Sequence, residues 1–176
     1  MANMENNARM NNLIIEGARI MGRNFAGVEK KFNPAGKRNF LLCLPDDIAV
    51  KMKEDGWNVK FPEPREDGSV LPPYVSVNVN FNGKIPPQAY LVTRRNKVLL
   101  DEMTIGQLDY AEIKNVDVIV RPYRWETSSG TGIKGYLKTI YVTVVEDEFA
   151  EKYEDIGYDG RDKQMNYDDY TDTPFD

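Results

Sequence analysis

At 176 residues, 41% hydrophobic and 29% charged, the chain has the makeup of one soluble globular domain with a core large enough to fold unaided. Histidine is absent, which removes the commonest general base and the commonest metal ligand, and with them Ser-His-Asp, Cys-His and His-based zinc sites. The net charge of −5 conceals a split: residues 1–145 hold 20 Lys and Arg against 16 Asp and Glu, whereas residues 146–176 hold 3 against 12. A basic body with an acidic appendage points to a domain that touches a polyanion and a tail that recruits something else.

Residues 1–12 are polar and Asn-rich with no apolar stretch, so a flexible N-terminus is expected rather than a signal peptide. Residues 13–25 read as a long strand interrupted by Gly17 and Gly22, the kind of break that bends the first strand of a small barrel. Residues 26–38 form a polar loop carrying Lys30, Lys31, Lys37 and Arg38 around Phe32. A second strand follows at 39–44. It holds Cys43 in an apolar run, where a buried thiol in a reducing cytoplasm is expected. Pro45-Asp46-Asp47 opens a short helix with an Asp N-cap, and Gly56 closes it. Residues 57–61 are extended, and 62–73 are a loop rich in Pro, Gly and acid.

Residues 74–81 alternate cleanly, with Val75, Val77, Val79 and Phe81 on one side and Tyr74, Ser76, Asn78 and Asn80 on the other. A hairpin is expected over 89–100 and a single helical turn at 104–110. A longer hairpin pairs 113–125 with 133–145 across a flexible tip at 126–132. A short last helix is placed at 147–153, and the acidic remainder reads as disordered. No stretch of about 18 apolar residues exists, so no membrane span is expected. Five to eight strands, one to three short helices and no β-α-β alternation favour a mainly β antiparallel barrel, best drawn as five strands with a helix and an extra hairpin.

The chemistry-bearing pattern is basic residues interleaved with aromatics. Arg121, Tyr123 and Trp125 share one parity with Arg124 adjacent, and Lys134, Tyr136 and Lys138 share one parity on the partner strand. Arg23 and Phe25 share a parity on the first strand. Flat aromatics stack on bases of any sequence while Lys and Arg follow the phosphates, which is what a single-strand binder needs. The same residues also suit a pleated surface for packing reasons alone. Gly130-Thr131-Gly132 lacks the following helix that a phosphate loop requires and reads as turn geometry. The carboxylate pairs Asp46-Asp47, Asp101-Glu102 and Asp168-Asp169 sit at a helix start, a turn and the tail, so no metal-dependent active site and no cofactor is expected.

Three stretches carry a resemblance: residues 32–40 (FNPAGKRNF), 111–123 (AEIKNVDVIVRPY) and 132–141 (GIKGYLKTIY). On these the body resembles phage- and prophage-encoded single-stranded DNA-binding proteins of the OB-fold type. The tail, through Asp168, Asp169, Asp172, Pro174 and Phe175, is similar to the acidic tip of bacterial single-stranded DNA-binding proteins. In that family the tip docks its aromatic into an apolar pocket on replication, recombination and repair proteins. Here Asp176 follows Phe175, which shifts the terminal charge by one residue and suits a phage-encoded partner with a different pocket.

The resulting expectation is an OB-like domain over residues 13–153 and a disordered acidic tail over 154–176. The domain binds single-stranded DNA without sequence preference, in phage replication or recombination in a bacterial cytoplasm. Arg121, Tyr123, Arg124, Trp125, Lys134, Tyr136 and Lys138 line the groove, with Arg23 and Phe25 alongside. Lys30, Lys31, Phe32, Lys37 and Arg38 close over the strand. The tail, with Asp168, Asp169, Asp172, Pro174, Phe175 and Asp176, recruits replication or recombination proteins. Catalysis plays no part. The alternative is a non-enzymatic interaction or virion structural protein, which requires the aromatics to be buried and the positive charge scattered.

Overall fold

The computed structural model describes residues 10–146 and 149. The chain divides into two units, residues 1–145 and 146–176, and every element below belongs to the first. Apart from Phe149, the final helix expected at 147–153 and the tail lie outside the described residues.

The expected first strand is broken in two. β1 is Leu13–Ile15 and β2 is Ile20–Asn24. Between them Gly17 takes φ +60°, a conformation that a Cβ would strain. β3 (Arg38–Cys43) and β4 (Tyr74–Val79) follow, then β5 (Gln88–Val92), β6 (Lys97–Leu100), β7 (Ile113–Thr127) and β8 (Gly130–Val144). The ladder runs β1-β7-β8-β4-β3-β2, and β5 joins β8 with β6 outside it. β1 and β2 are two halves of one bent segment at opposite ends of that ladder, so the bend closes the sheet into a barrel. Backbone bonds from Ala18 N to Val116 O (2.7 Å) and Cys43 N to Arg19 O (2.9 Å) complete the seam. This is the mainly β, OB-like barrel expected. Most pairings are antiparallel, while β4 and β5 run parallel to β8.

The alternation read in β4 is realised, with Val75, Val77 and Val79 all buried. Its neighbours are β3 and β8, so it is an interior strand and not a free edge. The core is filled by Phe25, Phe40, Leu42, Val77, Val118, Val120, Ile140 and Val142, joined by Trp57 and by Ala49 and Met52 of helix α1 (Asp46–Asp55). α1 differs from expectation at its start. Pro45 is the N-cap and makes no side-chain cap, and Asp46 and Asp47 occupy the first turn, where their charge favours the helix dipole. Gly56, at φ 112°, ends it as expected. A 3-10 turn at Ile105–Asp109 stands where a single helical turn was expected.

Cys43 is buried, and burial pushes its thiol above the ordinary value although Arg19 pulls the other way. The thiol therefore stays protonated at neutral pH, and the thiolate is the reactive form. Alkylation of Cys43 is expected to be slow in native protein and fast in denaturant. Equal rates in the two states would mean that β3 opens readily.

Candidate nucleic-acid interface

β7 and β8 form a hairpin of two 15-residue strands that reaches beyond the barrel. The tip is tighter than expected. Only Ser128 and Ser129 lie between the strands, and their turn is held by a 2.8 Å contact between the Thr127 and Ser129 hydroxyls. Val116, Val118 and Val120 point into the core, so Ile119, Arg121, Tyr123 and Trp125 face out. On β8, Ile133, Gly135 and Leu137 point in, so Lys134 and Tyr136 face out with them.

The register brings these side chains together as the sequence pattern implied. Arg121 lies directly opposite Tyr136, and Tyr123 directly opposite Lys134. The Tyr123 and Tyr136 rings meet edge to face at 5.9 Å, and Tyr123 is 55% exposed. Trp125 lies across Gly132. A Cβ there would come within 2.6 Å of its ring, so only glycine lets the indole lie flat on the sheet. A groove of about 300 Å³ runs beside this row, lined by Arg121, Tyr123 and Tyr136 and walled by Asn80, Gly83 and Ile85 of the β4–β5 connection.

The row continues across the barrel. Tyr136 is paired with Asn78 of β4, and Asn78 with Asn39 of β3. Asn39 Nδ2 donates to Asn33 Oδ1 at 2.8 Å, which ties the row to the basic loop 26–38. That loop, expected to close over the strand, is built internally. Asn33 Nδ2 donates to Lys37 O (2.9 Å), Lys30 and Asn33 exchange backbone bonds, and Val28 N donates to Asn24 Oδ1 (2.8 Å). Gly27 and Gly36 pack so closely that a Cβ on Gly27 would sit 3.0 Å from the Gly36 carbonyl carbon. The scaffold leaves Lys30, Lys31 and Lys37 exposed and Phe32 89% exposed, with the Lys31 ammonium 5.4 Å from the Phe32 ring.

Other candidates are placed elsewhere. Phe25 is fully buried and stacks on Phe40 at 5.1 Å, so its ring belongs to the core and cannot receive a base. Arg23 Nη1 donates to the carbonyls of Leu108 and Ala111, both at 2.8 Å, and so fastens β2 to the 3-10 turn. Arg38 Nη1 donates to Phe25 O at 2.7 Å, and its guanidinium lies 5.7 Å from the Phe81 ring. Both arginines hold the fold. The parity that linked Arg23 and Phe25 to the groove failed because the β2–β3 register shifts between Met21 and Asn24. Arg124 has the parity opposite to Tyr123 and opens onto a separate hollow with Asp55, Trp57 and Ile133. Lys138 is exposed at a bulge.

The residues missed are Asn39 and Asn78, whose polarity on an outward parity was visible, and the pair Tyr90 and Tyr141. β5 and β8 set those two tyrosines side by side, with their rings stacked at 4.8 Å. Among the described residues no group of three or more His, Cys, Asp or Glu is placed to hold a metal ion.

No curated protein matches the chain. Among solved structures it is similar to the C-terminally truncated single-stranded DNA-binding protein from bacteriophage Enc34, at 13% identity and TM-score 0.49, covering 77% of this chain and 87% of that one. The Enc34 protein in complex with ssDNA gives 14% identity and TM-score 0.48, covering 78% and 89%. The single-stranded DNA-binding protein gp2.5 encoded by bacteriophage T7 gives 15% identity and TM-score 0.34, covering 85% and 100%. The family described as "Putative phage ssDNA-binding domain" matches residues 2–174, nearly the whole chain, and the chain belongs to that family.

Proposed function

We propose that the chain binds single-stranded DNA without sequence preference along the outer face of β7 and β8, in phage DNA replication or recombination. Its family is one of single-stranded DNA-binding domains, which are not enzymes. The observation that carries the placement is the exposed row in which Arg121 faces Tyr136 and Tyr123 faces Lys134. Rings there can stack on bases while the neighbouring cations meet phosphates. Lys30, Lys31, Phe32 and Lys37 extend the basic surface from a loop already held in shape. The interaction-protein alternative needs buried aromatics, which Tyr123 at 55% exposure does not satisfy.

The tail recruits replication or recombination proteins through Asp168, Asp169, Asp172, Pro174, Phe175 and Asp176. Its support is the separation of charge between the two parts of the sequence. The place of action is the cytoplasm of the bacterial host.

Fluorescence anisotropy of a labelled single strand, against a duplex of equal length, tests the function. Preference for the single strand is expected, with log K falling against log salt by about 0.7 per phosphate neutralised. Absence of single-strand binding at low salt would overturn the reading.

A further inference from the structure

The bulge in β8 places a second aromatic pair on the DNA-facing side. Val120 pairs with Leu137 and the preceding Ile119 pairs with Thr139, so Lys138 is an extra residue in β8. Tyr141 is five positions beyond Tyr136 and in a regular strand would point to the opposite side. The extra residue restores it. Ile140 and Val142 are buried, and Tyr141, paired with Asp117, faces out on the same side as Tyr136. β5 pairs in parallel and sets Tyr90 next to it, with the two ring planes only 15° apart.

A cation completes this second cluster. Lys97, exposed on β6, places its ammonium 4.8 Å from the Tyr90 ring and 5.8 Å from the Tyr141 ring. The one carboxylate opposite Tyr141 is that of Asp117, and its Oδ1 is occupied by the Gly17 backbone N–H at 2.9 Å. About four regular strand steps separate Tyr136 from Tyr141, roughly 13 Å at ~3.3 Å per residue. Lys138 stands between them. The distance falls within the span of a site of about 4–16 nucleotides on one OB barrel.

We propose that Tyr90, Tyr141 and Lys97 form a second base-stacking and phosphate-binding subsite, reached by the same single strand that occupies the Tyr123–Tyr136 platform. The proposal rests on the reading of that platform as the primary DNA site. A ring of the stacked pair takes a base on its open side, and Lys97 meets the neighbouring phosphate.

The test compares oligothymidylates of about 2 and about 15 nucleotides; at about 3.4 Å or more per nucleotide the shorter cannot bridge the roughly 13 Å between platforms and the longer can. Lys97→Gln is expected to leave the short-oligomer affinity unchanged and to make the salt slope for the long one shallower by about 0.7. Tyr141→Leu is expected to weaken the long oligomer about fivefold or more and the short one little. Lys97 is exposed on an edge strand, so its variant remains informative should Tyr141→Leu fail to fold. Unchanged long-oligomer binding and salt slope in Lys97→Gln would overturn the second subsite. Equal losses on both lengths would overturn it too. Failure of unmodified protein to bind either length would instead sink the primary site.

Discussion

Replacing Tyr123 and Tyr136 together with alanine is expected to weaken single-strand binding by about 2–6 kcal/mol, from about 1–3 kcal/mol per stacked base. Both side chains lie on the outer face of β7 and β8, at least partly open to solvent, so folding should survive the change. Their rings touch at 5.9 Å, and contacting residues are rarely additive. Measured as a double-mutant cycle by anisotropy, the double loss should therefore differ from the sum of the singles. A thermal midpoint close to that of the unmodified protein would show that the loss belongs to the interface. Retained affinity in a folded double variant would remove this face from the DNA path.

Phe25→Ala is expected to do the reverse. Phe25 is fully buried against Phe40, and truncating a buried Phe costs about 3–5 kcal/mol through lost burial and the cavity left behind. Denaturant unfolding should show that loss, while the affinity of the fraction that remains folded should not change. The contrast separates Phe25 from Tyr123, two aromatics that look alike in sequence, each two residues beyond an arginine of the same parity. A Phe25 variant that kept its stability but lost DNA binding would mean that the β2–β3 region is built differently.

Much of the barrel was legible because its causes are local. The alternation of residues 74–79 produced β4, and the acid-rich start and Gly56 bounded α1. Arg121, Tyr123, Lys134 and Tyr136 were placed on one face because strict alternation holds through that part of the hairpin. What was lost depends on register. A shift between Met21 and Asn24 took Phe25 into the core, and an extra residue at Lys138 brought Tyr141 outward. Periodicity of two carries no information about where a strand slips by one. The meeting of Tyr90 with Tyr141 depends on a parallel pairing between segments about 50 residues apart, which no local pattern encodes. The loop 26–38 read only as polar by composition, and its internal structure comes from asparagine side chains replacing a sheet's hydrogen bonds.

The bent first segment also sets the order in which the molecule can be made. β1 is among the first described residues to be synthesised, yet its partner is β7, and the Gly17 N–H reaches Asp117 across 100 positions. At about 5–20 residues per second, β1 waits roughly 5–20 s for that partner to be translated. Until then Leu13 and Ile15 have no neighbour in the sheet, and β2 and β3 can pair only with each other and β4. Closure is a late, non-local event of the kind that makes β proteins fold slowly. Chains halted before β8 would expose the apolar inner faces of an open sheet, because β8 is the strand that joins β7 to β4 and it is complete only at Val144.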